Sequence, residues 1–296
     1  MSLWIPVTIL AAFAQNLRFM LQKHLKSTQL STGGATFARF VFSAPLVMVI
    51  VLIYMAATGQ GWPTLSASFF MFAISGGAGQ ILATACVVAL FAERNFSVGI
   101  VFKKTEVVQT ALLGLVILGE GLGSVAILAI AIGFVGVVLL SDPPSGGSLF
   151  NKAAGLGLSS GFLFGISAIG YRGAALELAT DDVLLRAGVT LAIVTAMQTA
   201  AMMAYLALRE PGELQRVAQS WRVSSLVGLT SMVGSYGWFL AFSLQNAAYV
   251  KALGQIELVF TFLGSYFIFK ERSGTKELTG ITLIVVSIFV LILALR

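Results

Sequence analysis

Residues 103–120 read Lys-Lys-Thr-Glu-Val-Val-Gln-Thr-Ala-Leu-Leu-Gly-Leu-Val-Ile-Leu-Gly-Glu. Charged side chains open this segment, an apolar run follows, and a Gly-Glu pair closes it. Extended upstream to residue 97, the run has the length of a membrane-crossing helix, which needs roughly 17 to 25 mostly apolar residues. Charges inside such a helix are costly unless they are paired or face water, so those at its start are candidate functional residues.

The same pattern returns in the second half of the chain. A shift of 151 residues places Glu106 on Glu257 and Glu120 on Glu271, so the spacing Glu-x13-Glu occurs twice. The same shift places Phe91 on Phe242 and Asn95 on Asn246. Arg18 corresponds to Arg172 after an adjustment of three residues. The repetition predicts two related halves.

The composition is that of a protein whose solvent is lipid. Hydrophobic residues make up 58% of the chain and charged residues 10%, and the mean hydropathy is +0.95. Soluble proteins carry about 25% charged residues, so this chain has too few to cover a globular surface in water. A cytosolic enzyme and a disordered chain are therefore excluded, and the single cysteine, Cys86, excludes a disulfide scaffold.

Ten segments have the length and apolarity of membrane-crossing helices: 3–22, 38–57, 69–92, 97–118, 123–140, 153–176, 183–208, 223–244, 247–269 and 277–295. Long apolar runs with 31 glycines favour closely packed helices over barrel strands, which would alternate apolar and polar residues. Residues 1–6 lack a basic start, and no cleavage pattern follows the first apolar run. We therefore expect a first span here and no cleaved signal peptide.

The predicted fold is an all-α integral membrane protein with ten transmembrane helices in two five-helix repeats. The first repeat covers residues 1–140, a polar linker covers 141–152, and the second repeat covers 153–296. Because five is an odd number, the second repeat must enter the membrane upside down. Inverted repeats of this kind recur in secondary transporters, whose binding sites lie near the middle of the membrane.

The distribution of positive charge predicts an orientation. Connections on the side opposite the chain termini carry ten cations: Lys23, Lys26, Arg94, Lys152, Arg209, Arg216, Arg222, Lys270, Arg272 and Lys276. The terminal side carries Arg186 and Arg296. Since cytoplasmic connections are enriched in Lys and Arg, both termini are expected outside the cytoplasm.

The segment from Lys104 to Glu120 resembles the span-four signature of EamA-type members of the drug/metabolite transporter superfamily, which runs Glu-Pro, an apolar stretch, then Leu-Gly-Glu. The segment from Gln255 to Glu271 is similar to a second copy of that signature. The likeness covers almost the whole chain, because ten spans in two inverted repeats is the plan of the family. It implies a transporter of small metabolites, since family members export or exchange compounds that include amino acids, and some relatives carry sugar phosphates or nucleotide sugars.

The chain departs from the family signature at three positions. Val107 and Leu258 replace the proline that usually follows the first glutamate of each copy, and Lys270 replaces a glycine in the second copy. A proline-induced kink is therefore not expected at these glutamates.

Candidate substrate-binding residues are the polar and charged side chains at membrane depth, together with nearby aromatic residues: Asn16, Arg18, Lys104, Glu106, Tyr171, Arg172, Tyr236, Trp238, Lys251, Gln255 and Glu257. Each has a structural alternative. Arg18 could extend to the membrane interface, the aromatic residues could serve packing alone, and Lys103 could pair with Glu106 within one helix face. Arg39 and Arg186 are interpreted as interface anchors, and Glu120 and Glu271 as structural.

An excess of cations at depth over Glu106 and Glu257 favours a substrate with a carboxylate or a phosphate. We therefore expect a secondary transporter of amino acids or related carboxylated metabolites, acting by alternating access in the bacterial inner membrane, as an exporter. Two alternatives stay open: an exporter of cationic or aromatic drugs, and an exchanger of sugar phosphates or organic anions.

Other functional classes have little support in the sequence. A membrane enzyme would need clusters of aspartate or histidine at the membrane edge, and a non-transporting scaffold would not need symmetric charges at depth. We expect no enzymatic activity, no cofactor, no metal site and no nucleic-acid partner. The expected partners are the small-molecule substrate and membrane lipid, and the protein is expected to be a monomer or a homodimer.

Overall fold

The computed structural model describes residues 2–28, 30–90, 93, 102–140, 152–267 and 274–294. Every regular element within these ranges is a helix. In chain order they are α1 Trp4–Thr28, α2 Thr32–Val41, α3 Ser43–Thr58, α4 Ala67–Leu90, α5 Glu106–Leu118, α6 Ser124–Leu140, α7 Lys152–Leu176, α8 Val183–Arg209, α9 Glu213–Gln219, α10 Trp221–Leu244, α11 Ala247–Leu253, α12 Ile256–Phe267 and α13 Thr275–Ala294.

Seven helical segments of the described chain are long and apolar enough to cross a membrane: Trp4–Ser27, Thr32–Thr58, Ala67–Leu90, Lys152–Leu176, Val183–Arg209, Trp221–Leu244 and Thr275–Ala294. Their outer faces are apolar, as the side chains of Ile53 and Leu208 illustrate with exposures of 63% and 80%. Lipid is the solvent that such a surface requires. The prediction of an all-α, multi-pass membrane protein is confirmed at this level.

Several helices begin and end close to the predicted spans. Segment 183–208 corresponds to α8, and segment 123–140 corresponds to α6. Other spans differ more. α1 extends to Thr28, the stretch that contains segment 38–57 starts at Thr32 and is divided at Phe42 into α2 and α3, α5 begins at Glu106, and segment 247–269 is divided into α11 and α12. Residues 97–101, the linker 141–151, residues 268–273 with Glu271, and residue 295 lie outside the described residues.

The helices pack as antiparallel and crossing pairs around small side chains. Helix α4 packs on α7, α1 on α10, and α6 on α13. At the α4–α7 contact, a Cβ on Gly170 would lie 2.6 Å from the Cα of Gly76, so neither residue tolerates a side chain there. A Cβ on Gly136 would lie 2.7 Å from the carbonyl oxygen of Gly280, where α6 meets α13. Close approach of backbones supplies the van der Waals contact that holds helices together in lipid.

The main apolar core lies where α1, α7, α8 and α10 meet. Its centre contains the rings of Tyr171 and Phe239, which stack with centroids 4.1 Å apart. Such aromatic stacking adds about 0.5–1.5 kcal/mol to the burial of the rings themselves. The packing leaves the charged side chains of α1, α5, α11 and α12 on one side of this core.

Asp182 organises one end of the bundle. Its carboxylate caps α8 by accepting hydrogen bonds from the amides of Leu184 (2.9 Å) and Leu185 (3.1 Å). The Tyr54 hydroxyl and the Gln60 amide each donate to its other oxygen at 2.7 Å, which ties the end of α3 to the start of α8. Partial desolvation would raise the pKa of this carboxyl, but the four hydrogen bonds together hold the pKa below its ordinary value.

Substituting Asp182→Ala should lower thermal stability by an amount typical of a lost N-cap, about 1 kcal/mol. Because the folded-state pKa is lowered, the stabilisation is fully present above the ordinary aspartate pKa of about 3.9 and is lost as the pH falls below it. The difference in melting temperature between the wild type and Asp182→Ala should therefore shrink towards low pH. Thermal unfolding in detergent across pH 3–7 measures it.

The matched control is Asp181→Ala, which removes an exposed neighbouring carboxylate that does not cap α8. If both substitutions gave the same loss at pH 7, Asp182 would contribute nothing beyond surface charge.

Candidate functional site

Two helices are interrupted beside charged residues. Residues 102–103 are helical, Lys104 and Thr105 form a turn, and α5 starts at Glu106. In the second half, α11 ends at Leu253, a turn covers residues 254–255, and α12 starts at Ile256. The 151-residue shift places 104–105 on 255–256, so the two turns overlap within one residue. Glu106 and Glu257 each lie in the first turn of the helix that follows, where the helix dipole favours a negative charge.

The two interruptions face each other, and their charges pair crosswise. The Lys104 ammonium, from the first half, forms an ion pair with the Glu257 carboxylate in the second half. The Lys251 ammonium, from the second half, forms an ion pair with the Glu106 carboxylate in the first half. All four side chains are buried or nearly so, with exposures between 5% and 13%. Pairing satisfies charges that the interior would otherwise exclude.

Glu257 has additional partners. Its Oε2 accepts a hydrogen bond from the Gln15 side-chain amide of α1 at 3.0 Å, and its Oε1 lies 3.9 Å from the Lys103 ammonium. This carboxylate therefore joins three segments: α1, the turn before α5, and α12.

Lys251 lies among aromatic rings. Its Nζ is 4.8 Å from the Trp238 ring centroid, 5.6 Å from that of Phe164 and 5.7 Å from that of Phe242. Each ring presents a negative face to a cation at this range, which contributes roughly 0.5–2 kcal/mol for a desolvated ammonium. The aromatic residues of α10 thus hold the lysine side chain next to Glu106.

A small cavity of about 20 Å³ lies between the two ion pairs. Its walls combine both charge pairs with Gln15, Lys103, Val107, Trp238, Gly254 and Gln255. A volume of about 10–15 Å³ is enough for one water molecule, so in this conformation the space between the ion pairs holds little more than that. A second cavity of similar size continues from Lys104 and Gln255 to Ser287 on α13.

Apart from Glu106 Oε1, which forms the ion pair with Lys251, two polar atoms on the cavity wall are buried without a hydrogen-bond partner among the described residues. They are the indole N–H of Trp238 and the side-chain oxygen of Gln255. A buried polar group without a partner costs roughly 1–3 kcal/mol, and a small polar molecule in the cavity could satisfy both groups.

The structure brings together six of the predicted substrate-binding residues around the cavity: Lys104, Glu106, Trp238, Lys251, Gln255 and Glu257. Arg18 is not among the residues of the cavity wall; it is buried on α1, about one helical turn after Gln15, and lies over the Phe19 ring. Asn16 is half-buried on α1 next to Gln15.

Arg172 lies elsewhere, at the ends of α5 and α10. Its guanidinium forms a two-pronged ion pair with Glu120, with Nε 2.6 Å and 2.8 Å from the two carboxylate oxygens. Its Nη1 also donates to the carbonyl oxygens of Phe242 (2.6 Å) and Gln245 (2.7 Å) at the end of α10. A cation at a helix C-terminus satisfies carbonyl groups that have no partner within the helix.

The two predicted tyrosines also lie away from the charged cavity. The Tyr171 hydroxyl accepts a hydrogen bond from Gln198 at 3.2 Å inside the core, and the Tyr236 hydroxyl donates to the carbonyl oxygen of Leu184 at 3.1 Å. Both contacts join neighbouring helices.

One sequence-based interpretation is wrong, and one structural alternative is not observed. The alternative was a pair of Lys103 with Glu106 on one helix face; Lys103 instead lies near Glu257, because the turn at 104–105 interrupts the helical spacing. Arg39 was expected at the membrane interface, but it is 3% exposed and hydrogen-bonded to hydroxyl groups of two other helices.

Gln15 and Lys103 belong to the cavity although neither was a predicted substrate-binding residue. The signal for Gln15 was present in the sequence, as a polar residue within an apolar span beside Asn16.

Neither a protein-family model nor a curated protein matches the chain. A solved protein structure is similar to it with a TM-score of 0.72, over 100% of this chain and 97% of the other, at 14% sequence identity. At this identity, the similarity shows a common fold and carries no statement about the substrate.

The crosswise pair Lys104–Glu257 is expected to couple strongly in a double-mutant cycle. Glu257→Gln alone leaves the Lys104 ammonium buried without its carboxylate, which typically costs about 3–5 kcal/mol. Lys104→Gln alone should cost less, because the Lys103 ammonium remains 3.9 Å from Glu257. The double variant leaves one buried lysine without a carboxylate instead of two, so it should be more stable than Glu257→Gln. Thermal unfolding of the four proteins in detergent measures the coupling.

The control cycle uses Lys152 and Glu93, a pair with exposures of 76% and 25%, whose coupling should be about 1 kcal/mol or less. Additive effects of the Lys104 and Glu257 substitutions would contradict a buried ion pair between them.

Proposed function

We propose that the protein is a secondary transporter that moves amino acids or related carboxylated metabolites across the bacterial inner membrane by alternating access, in the direction of export. The observation that carries the proposal is the pair of interrupted helices whose lysine and glutamate side chains pair crosswise around a buried cavity. Interrupted helices and ionisable groups inside a membrane bundle mark the sites where transporters bind substrates and ions.

Ten crossings in two inverted repeats are part of this proposal. The seven long helices would be completed by α5, by α6, and by α11 with α12 as one interrupted crossing. Helix packing supports the repeat. When each helix is replaced by its counterpart in the other half, the α4–α7 contact becomes the α10–α1 contact, and both contacts are present. The same exchange maps the α6–α13 contact onto itself. Residues 1–140 and 153–296 would then be the two repeats, and the positive-inside rule would place both termini outside the cytoplasm.

The ion pairs suggest how a substrate would be held. A zwitterionic amino acid carries both charges of such a pair. Its carboxylate can replace Glu257 as the partner of Lys104, and its ammonium group can then pair with the carboxylate of Glu257. All charges stay paired during this exchange, which avoids the cost of an isolated charge in the interior. The unpartnered Trp238 N–H and Gln255 oxygen supply two further hydrogen bonds.

The same exchange would link substrate binding to the opening of the site towards one side of the membrane. In the observed conformation, Glu257 joins α1, the turn before α5, and α12, and Glu106 joins α5 to α11. Loosening these links releases the two halves from each other. Since each pair crosses between the halves, a substrate that replaces one pair lowers the cost of rearranging them.

The charge balance favours this substrate class over a cationic drug. The aromatic rings that could enclose a drug cation already enclose the Lys251 ammonium. A cationic ligand would have to displace a lysine or lie next to it. An exchanger of sugar phosphates or organic anions is the second candidate, because Lys103, Lys104 and Lys251 outnumber Glu106 and Glu257 at the cavity.

Substituting Lys251→Ala or Arg18→Ala should abolish transport while leaving membrane insertion intact. Lys251→Ala removes a cation from the cavity wall, and Arg18→Ala removes a buried cation of α1. Both side chains also pack in the interior, so the activity of each variant is expressed per amount of folded protein in the membrane. Counterflow of radiolabelled amino acids in proteoliposomes measures the activity, and we expect it to fall about 100-fold or more for each variant, consistent with the loss of roughly 3 kcal/mol of binding or transition-state free energy.

Lys152→Ala is the matched control, because it removes a lysine that is 76% exposed. Unchanged counterflow in both Lys251→Ala and Arg18→Ala would contradict the proposal. Activity that depends on Glu257 and survives loss of the cations would instead indicate a drug exporter.

A further inference from the structure

We propose that Arg18 and Arg39 form a buried binding site for an oxyanion, either a carboxylate or a phosphate, next to the crosswise ion pairs. This site does not depend on transport, because its ligand could be the acid group of a substrate or an anion that stays bound.

Arg39 is a buried cation held by neutral groups. Its Nε donates to the Ser231 hydroxyl at 3.1 Å, its Nη1 to the Thr84 hydroxyl at 3.0 Å, and its Nη2 to the Ser235 hydroxyl at 3.2 Å. Among the residues that the structure describes, no carboxylate lies within ion-pair distance of Arg39. A guanidinium has five N–H donors, so these hydroxyls leave part of its hydrogen-bonding capacity unused.

Arg18 is buried in the same way, with an exposure of 2%. Its Nη1 donates to the side-chain oxygen of Gln22 at 2.6 Å, and its plane lies over the Phe19 ring, 4.2 Å from the centroid. Its Nη2 has no hydrogen-bond partner within the described part of the chain. This nitrogen is therefore a charged donor without an acceptor in the protein interior.

The two arginines lie close together. Gln22, which holds Arg18, also donates to the carbonyl oxygen of Ala35 at 2.8 Å, and Ala35 lies one helical turn before Arg39 on α2. Both arginines are buried, with exposures of 2% and 3%. Two like charges held near each other away from water repel, and an anion between them would offset that repulsion.

The wider charge balance points the same way. Five buried or nearly buried cations lie in this part of the protein: Arg18, Arg39, Lys103, Lys104 and Lys251. Glu106 and Glu257 form ion pairs with lysines, and the buried Glu213, which packs against Gly34 of α2, forms one with Arg216. Within the described residues no carboxylate forms an ion pair with either arginine, at a depth where a charge without a partner costs several kcal/mol.

The geometry selects an oxyanion over a halide. Guanidinium groups bind carboxylates and phosphates through two parallel N–H···O bonds, and the serine and threonine hydroxyls around Arg39 can donate to further oxygens. Arg18 and Arg39 together can therefore surround an anionic group that has two or three oxygens.

The test is a thermal-shift titration of the purified full-length protein in detergent. Three probes are used at constant ionic strength set with sodium chloride: sodium phosphate, sodium glutarate, and a short-chain phosphatidic acid that distinguishes a lipid headgroup from a free anion. A ligand that binds the folded state raises the melting temperature in a saturable way. We expect at least one probe to do so beyond the effect of chloride.

Arg18→Gln and Arg39→Lys should each raise the apparent Kd for that probe about tenfold or more, because each removes charge-assisted hydrogen bonds. Arg39→Lys keeps the positive charge, so it tests the two-pronged geometry even if Arg39→Gln does not fold. Arg222→Gln, which changes an arginine beside the exposed Trp221, is the control and should leave the Kd unchanged.

The proposal is overturned if no probe gives a saturable shift, if the shift persists in both Arg18→Gln and Arg39→Lys, or if Arg222→Gln weakens it equally. Because the readout is binding, a failure here is distinguishable from a failure of transport in proteoliposomes.

Discussion

A charge inside lipid must have a partner, and this requirement shapes the centre of the protein. The Lys104–Glu257 and Lys251–Glu106 ion pairs each join one half of the chain to the other, so neither half can satisfy its own charges. Removing a carboxylate would leave a lysine buried alone, which is far more expensive than the pair itself is favourable. The pairs therefore contribute little net stability. They do determine which helix interruptions lie next to each other, because any other arrangement would leave a buried charge without a partner.

This arrangement explains why a polar site has so little free space. Trp238, Phe164 and Phe242 surround the Lys251 ammonium, and Gln15 completes the surroundings of Glu257. The cavity of about 20 Å³ that remains between the pairs is too small for a metabolite. In the proposed cycle, this conformation is the closed one, and the ion pairs act as the contacts that a substrate replaces when the halves separate.

The sequence predicted the helices well because apolar length and small residues act locally. Segments such as 183–208 and 123–140 match α8 and α6 because a long apolar run in lipid must satisfy its backbone hydrogen bonds within the same helix. The charged residues were also recognisable as candidates, since an ionisable residue within an apolar run is rare.

The partners of those residues could not be predicted from spacing alone. Lys103 and Glu106 share a helix face in the sequence, but the turn at residues 104–105 redirects Lys103 towards Glu257. Arg172 resembled a site residue by its symmetry with Arg18, yet it pairs with Glu120 and two carbonyl groups at helix ends. Arg39 resembled an anchor by its position near the start of a span, although three hydroxyl groups from distant helices hold it in the interior. Each outcome depends on tertiary contacts across more than 40 residues.

The central claim is that the space between the crosswise pairs opens alternately to the two sides of the membrane. The most direct measurement introduces a cysteine at Gln255, in a variant where the single native cysteine is replaced by Cys86→Ala, and tests its reaction with a membrane-impermeant thiol reagent in right-side-out and inverted vesicles. A cysteine at Val116, which faces lipid, is the unreactive control. Labelling of position 255 from both sides, reduced from both sides by the transported substrate, is the predicted result, and no labelling from either side would contradict the account.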